Sequence, residues 1–281
     1  MPTERVAEDR RCVTGKTQVL INERVWRRGH FVRAYARRTS LWPPEEALIA
    51  RYASELAGRV LELGTGAGRI SRHLMDIGAD LRGIDISSAM VEYCRRHLPA
   101  GTFEVGDLRS LADHGDGAYD AVVAGANVLD VLDDPERRQV LIEIRRVLKH
   151  SGLLIMSSHN QSFLPGVPPA FRLPHTRDPL RFAVAIVRLP SSIYHHNRLR
   201  PLERNEADYA IVNDQAHEYR LLHYYITRDS QERQFAEAGF ELERCLDSAG
   251  DSVDRGNTAS ESSELHYAAR VGTIPDQPLH F

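Results

Sequence analysis

The sequence predicts an α/β protein built on a mostly parallel sheet with helices on both faces. Three observations carry that prediction. From Val60 to Ser157, short apolar runs alternate with segments whose apolar residues recur at helical spacing. The first of these runs, Val60–Leu63, enters a helix through a turn holding Gly64, Gly66 and Gly68. Ala121–Ala124 is apolar at every position, as a strand covered on both faces must be.

The elements follow in order. Residues 1–17 are polar, and residues 18–57 read as helical. Pro43-Pro44 before Glu45-Glu46 marks a helix start, because proline is tolerated in a first turn and acids suit its positive end. Leu48, Ile49, Tyr52 and Leu56 continue that helix, and Gly58 stops it. Strand Val60–Leu63 leads to helix Arg69–Ile77, strand Leu81–Ile86, helix Ser88–Leu98 and strand Thr102–Val105. After Ala121–Ala124, Asp134 is expected to cap a helix that begins at Pro135 and buries Val140, Leu141, Ile144, Val147 and Leu148. Leu153–Ser157 is the next strand.

The alternation breaks near residue 160. Residues 161–206 are rich in Pro, Arg and His, with one short helix expected over Pro179–Val187. Tyr209–Val212 and Tyr219–Ile226 flank a polar turn and predict a β-hairpin. A helix over Asp229–Ala238 and strands Phe240–Cys245 and His266–Val271 complete the chain. The expected organisation is a helical segment at 1–57, a cofactor-binding core at 58–160, an insertion at 161–222 and a completion of the sheet at 223–281.

Composition narrows the function. With 281 residues, 42% apolar and 27% charged, the chain can bury one sizeable core. A net charge of −3 supplies no global field for a nucleic-acid backbone. No apolar run is long enough to span a bilayer, and the charged first residues do not look like a signal peptide. Cys12, Cys94 and Cys245 form no paired framework, so a reducing compartment, the cytoplasm, is expected. Nucleic-acid and membrane partners are not expected. Monomer and homodimer both remain open.

The chemistry centres on Glu62-Leu63-Gly64-Thr65-Gly66-Ala67-Gly68-Arg69. Glycines let a backbone turn sharply beside a ligand, and the following helix offers unpaired N–H groups. A dinucleotide fingerprint needs glycine where Arg69 stands. Glu62 would repel a pyrophosphate but would favour the ammonium of an amino-acid cofactor. Both points favour S-adenosylmethionine (SAM) over a nicotinamide cofactor.

This segment resembles the E/D-x-G-x-G-x-G motif of class I SAM-dependent methyltransferases. The resemblance runs from about Pro43 to Ser158 and keeps further landmarks in order. Gly83-Ile84-Asp85-Ile86-Ser87 resembles the strand end whose acid binds both ribose hydroxyls, which an acceptor-only carboxylate can do. Val105-Gly106-Asp107-Leu108 resembles the segment beside the adenine, with Asp107 implied as acceptor from its amine. Met90 sits on a helical stripe suited to the core, and in relatives this position can also touch adenine. Asn127-Val128-Leu129 resembles the segment along the methionine part. Arg145-Arg146-Val147-Leu148-Lys149 resembles the family's last landmark, with His150-Ser151 departing from its usual Pro-Gly. The resemblance implies a Rossmann-like sheet whose last strand is antiparallel, a substrate lid after the fifth strand, and cofactor contacts from Glu62, Gly64, Thr65, Gly66, Gly68, Arg69, Asp85, Ile86, Met90, Gly106, Asp107, Leu108 and Asn127. Without a ligand, Asp85 would serve as a helix cap and Asp107 as a loop carboxylate.

In an open α/β sheet the ligand lies beyond the carboxyl ends of the strands. Asn127 and Asp130 follow the fourth strand there; Ser158, His159 and Asn160 follow the fifth. His223, Tyr224 and Tyr225 on the hairpin's return strand, and Trp26 or Tyr35 from the N-terminal segment, are candidates to close the site. His159 is the expected base where one is needed, because its ordinary pKa lies near neutrality, with Asn127 and Tyr224 as its catalytic companions. Tyr224 and Tyr225 point to opposite faces of a strand, so at most one faces substrate. Arg172, Arg177, Arg181, Arg188, Arg198 and Arg200 offer charges for an acidic small molecule, although most arginines simply face solvent. No metal site is expected, since adjacent His195-His196 lack ligand spacing. The expected reaction moves a methyl group to an N or O atom of a small molecule. Alternatives are attack on the aminocarboxypropyl carbon of SAM, its cyclisation, SAM binding without catalysis, or a nicotinamide-dependent oxidoreductase.

Overall fold

The computed structural model describes residues 18, 20–26, 32–163 and 178–272. Helices α1 (Val32–Ala36), α2 (Pro43–Arg51) and α3 (Ala53–Leu56) precede the sheet. Then come β1 (Arg59–Leu63), α4 (Arg69–Asp76), β2 (Asp80–Asp85), α5 (Ser88–His97), β3 (Thr102–Val105) and β4 (Tyr119–Ala124). The chain continues through α6 (Asp134–Val147), β5 (Leu148–Asn160), α7 (Pro179–Leu199), β6 (Arg204–Asn205), β7 (Tyr209–Val212), β8 (His223–Ile226), α8 (Arg228–Glu237), β9 (Phe240–Leu246) and β10 (Glu264–Val271).

Strands β3-β2-β1-β4-β5 run side by side and parallel. β10 adds to β5 antiparallel, and β9 pairs antiparallel with β10. The order reverses at β1 and β4, which opens a crevice above their carboxyl ends. Period-2 alternation divides the core into two layers. Leu61, Leu63, Val122, Ala124, Leu154 and Met156 face α6 and α8, whereas Val60, Ala121, Val123, Leu153 and Ile155 face α2, α4 and α5. Each buried Leu, Ile or Val contributes roughly 1.5–3 kcal/mol, so both layers together hold the sheet between its helices.

A strand has two edges, and that fixes the place of the hairpin. β5 pairs with β10 up to His159 on one edge. Its other edge holds β4 as far as Met156, and from His159 it holds β8, parallel. β8 therefore takes over where β4 stops, directly above the crevice. β7 pairs antiparallel with β8, and β6 with β7, so this part of the insertion extends the central sheet.

Four local expectations need correction. The cap of α6 is Asp133, whose carboxylate accepts from the Glu136 N–H at 3.0 Å, which leaves Asp134 as a helical residue free to bond elsewhere. β5 begins at Leu148, five residues before the apolar run at Leu153. α7 continues to Leu199 across Pro190, and exposed Phe182, Ile186 and Val187 explain why no clean apolar stripe marks it. β8 begins at His223, because the Asn213 amide binds the carbonyls of Tyr219 and Leu221 and removes them from any ladder. Among the described residues, no helix is long and apolar enough to cross a membrane.

Candidate active site

The glycine turn follows from local sterics. Gly64 has φ +69°, and a Cβ there would lie 2.2 Å from Val128 Cγ2. Gly66 has φ +53°, and a Cβ there would meet only the Tyr35 ring, at 3.7 Å, so the space above it is open. Asp85, at the end of β2, holds the turn: its carboxylate accepts from the Gly66 N–H and the Ser87 N–H, both at 2.8 Å. Burial raises the Asp85 pKa, and these two backbone donors partly offset it.

A cavity of about 350 Å³ opens above this turn. Its wall includes Glu62, Gly64, Thr65, Gly66, Arg69, Asp85, Ile86, Met90, Gly106, Asp107, Leu108 and Asn127, so the structure gathers these expected cofactor residues around one space. Gly68 is not on that wall; with φ +76°, it sits against Leu98 and Cys94. Arg69 binds both Glu45 carboxylate oxygens and lies over the Trp42 ring, 4.5 Å from its centroid. Its charge is thus used within the fold. The Asp107 carboxylate is gripped by Arg109, with Nε at 2.9 and 3.0 Å from its two oxygens. Glu62 is 2% exposed, and its carboxylate accepts from Ser71 Oγ at 2.5 Å. Burial pushes the Glu62 pKa up to about 8 despite that bond.

The opposite end of the cavity carries titratable groups. The chain leaves β4 through Ala126 and Asn127, both non-glycine residues at positive φ (52° and 57°), a strained turn of the kind that collects at functional sites. It places the Asn127 amide 2.9 Å from Glu264 Oε2 and 3.4 Å from His159 Nε2. Asp130 follows on a short 3₁₀ turn and is fully buried. Its Oδ1 accepts from Arg137 Nη1 and Ser158 Oγ, and its Oδ2 from the His159 backbone N–H and Nδ1, all at 2.7 Å. Nδ1 thus carries the proton toward Asp130, and Nε2 is left to accept one on the cavity side. Burial pulls the His159 pKa down, but the Asp130 hydrogen bond and charge, with Asp214 and Glu264 beyond, outweigh it and raise the pKa overall.

Beside this dyad stands another. His223 Nδ1 and the Tyr225 hydroxyl both bond Asp214 Oδ2 at 2.8 Å. The register His159↔Tyr225 puts His159, Tyr225 and His223 on one face of the sheet. The ring centroids of His159 and His223 are 5.1 Å apart, and those of His159 and Tyr225 are 4.8 Å apart. Tyr224 faces the other way, which corrects its expected catalytic place. It is fully buried outside the cavity wall, its hydroxyl bonds Asp134 at 2.6 Å, and Arg137 lies over its ring.

The N-terminal segment closes the cavity. The Asn22 amide bonds the carbonyls of Val131 and Leu222, tying residues 20–26 across the crevice. Trp26, Tyr35 and His217 meet there: Trp26 and His217 centroids are 4.8 Å apart, and the Tyr35 hydroxyl is 3.5 Å from His217 Nε2. Asp214, His217 and Glu264 are site residues that sequence reasoning missed. Glu264 was readable in principle, since an antiparallel last strand must begin where β5 ends. Of the arginines expected to bind an acidic substrate, Arg172 and Arg177 lie outside the described residues, as does the side chain of Arg181. Arg188, Arg198 and Arg200 are not on the cavity wall.

Residues 60–152 match the family model described as a methyltransferase domain. The sheet order and the glycine turn below Asp85 agree with that match. The core is a class I SAM-dependent methyltransferase domain. A demethylmenaquinone methyltransferase from Thermotoga maritima is 38% identical over 100 residues, 35% of this chain and 42% of that protein. The chain spans less than half the length of the first curated relatives it matches. Two solved structures share the fold. The CcbJ methyltransferase of Streptomyces caelestis has a TM-score of 0.55 at 21% identity, over 82% of this chain and 91% of its own. The Burkholderia thailandensis 1,6-didemethyltoxoflavin-N1-methyltransferase, solved with that compound and S-adenosylhomocysteine, has a TM-score of 0.55 at 14% identity, over 92% of this chain and 89% of its own.

The cofactor of this family suits the residues of the methyltransferase domain. Thr65 Oγ1, Ser87 Oγ and Asn127 Oδ1 are buried without a hydrogen-bond partner among the described residues, and all three residues line the cavity. Buried polar atoms of this kind call for a polar ligand or ordered water.

Proposed function

We propose that this protein transfers a methyl group from SAM to an N or O atom of a small molecule, with His159 as proton acceptor. The observation that carries the reading is the His159–Asp130 dyad at the far end of the same cavity that Asp85 and the Gly64–Gly68 turn floor. Asp85 retains acceptor capacity for sugar hydroxyls beyond its two backbone bonds. Glu62 and Asn127 would hold the amino-acid part, and Gly106, Leu108 and Met90 would flank the base. When bound, SAM supplies an electrophilic methyl on a sulfonium.

The protein's own work is orientation, exclusion of water and removal of a proton. Asp130 fixes the His159 tautomer so that Nε2 receives the proton of an acceptor hydroxyl. An amine acceptor needs that service less, since it can lose its proton late. Trp26, Tyr35 and His217 exclude water from the acceptor end. Residues 161–222 supply Ala216 and His217 to the wall and are the part of the chain suited to act as a lid.

The test is incubation of the purified protein with methyl-labelled SAM and a panel of small hydroxyl and amine compounds. Label in a product supports methyl transfer. A product that carries the aminocarboxypropyl group, or calorimetry with no SAM uptake, overturns the proposal.

A further inference from the structure

The His223–Asp214 pair has no part in proton removal by His159. His223 lines the same cavity as His159, and its Nε2 has no hydrogen-bond partner among the described residues. Its Nδ1 is engaged by Asp214, as that of His159 is by Asp130. Both imidazoles line the cavity and are clamped at Nδ1, and Nε2 of His159 has only the long 3.4 Å contact with the Asn127 amide. They stack with an interplanar angle of 28°. A ring nitrogen of each and a carboxylate oxygen of Asp214 lie within 4.8 Å of one another.

Building on the methyl-transfer reading, we propose that the acceptor substrate carries two neighbouring oxygens, one handled by His159 and the other held by His223. The geometry argues for a pair. Ring nitrogens of the two histidines lie within 4.8 Å of each other, a span that two oxygens on adjacent carbons can serve through hydrogen bonds of about 2.8 Å. A mono-hydroxyl compound would engage one imidazole and leave the other buried and unsatisfied, which is how a polar site discriminates. Trp26, Tyr35, Val131 and Leu132 supply apolar wall around the polar pair and favour a flat, aromatic body. The substrate class is a catechol-like diol or a hydroxyl beside a carbonyl on a ring. His223 is the specificity-determining residue, and Asp214 and Tyr225 position it.

The test is titration of the full chain with 4-nitrocatechol and 4-nitrophenol, read by visible absorbance, with S-adenosylhomocysteine and a chelator present. The expected result is at least about tenfold tighter binding of 4-nitrocatechol, the worth of one hydrogen bond. That ratio should fall to near one in His223→Ala and shrink in the milder Asp214→Asn. Equal binding of the probes, binding of neither, or a preference retained in both variants overturns the proposal. So does a preference seen only without chelator, which would mean that a metal held by His159, Asp214 and His223 grips the oxygens. A His223-dependent preference with no label transfer from SAM leaves this site standing and removes the methyl-transfer reading. Equal methylation of both probes does the reverse.

Discussion

One oxygen of Asp130 receives both the backbone N–H and Nδ1 of His159, each at 2.7 Å. The carboxylate thus fixes the main chain and the ring of the same residue, so the imidazole has little freedom to swing or change tautomer. This relationship yields a pH prediction. The His159 pKa is raised, so its contribution to stability is full below the ordinary histidine value, about 6.5, and is lost as pH rises through the folded value. Asp130→Asn should move the ring titration to lower pH. Histidine-resolved NMR titration measures it, and an unchanged midpoint would remove Asp130 as the cause. In the wild type, proton-accepting activity should rise over that same raised pKa.

Arg137 is fully buried and bonded to Asp130, Gln231 and, more loosely, Gln234 and Ser158. Arg137→Met leaves the Asp130 charge buried without its cation. It should cost about 3–5 kcal/mol in urea unfolding. Adding Asp130→Asn to that variant should recover part of the loss, because the uncompensated charge is gone. A double variant no more stable than Arg137→Met would show that packing, not charge, dominates.

Glu62 has the same sign as His159 from the opposite cause: burial disfavours its charged form, whereas Asp130 favours the charged imidazole. Its pKa is raised by burial to about 8, so ionisation opposes the fold as pH climbs from the ordinary value, about 4.3, toward 8. Glu62→Gln should therefore melt higher than wild type above pH 6, by a margin that grows toward pH 8 and is on the order of a few kcal/mol. It should also weaken SAM, because the amide cannot offset an ammonium. Melting curves across pH and calorimetry read the two effects separately.

Asp85→Ala removes the acceptor that ties Gly66 to Ser87 and faces the cavity. SAM affinity should fall by about 1–3 kcal/mol in calorimetry. Gly66→Val should do more, because its side chain enters the open space above the turn and strains a positive φ. Wild-type affinity in both would detach the cofactor from this turn.

The parallel core was legible because each of its signals is local. The glycines at 64 and 66, the unbroken apolar run Ala121–Ala124 and the apolar stripe of α6 are each read within a single short segment. Asp85, Asn127, Asp130 and His159 were readable as well, since they follow strand ends whose order the topology dictates. The second dyad was not. Asp214 sits in a turn that looks merely polar, and its union with His223 depends on a backbone path through positive φ at His217, Glu218 and Tyr219. Tyr224 was misplaced for a related reason. Which face of a short strand looks inward depends on its register, and that register is set by pairing with β5, far away in sequence.

The seat of β8 on the β4 edge of β5 has an evolutionary corollary. The spacing between the paired histidines is dictated by main-chain hydrogen bonds in the same sheet that supports the glycine turn. Changes at Trp26 and Tyr35, on the N-terminal segment, can reshape the cavity wall without re-aiming either imidazole. Descendants of this chain would thus be free to trade the outline of their substrate while conserving where its reactive oxygen must sit.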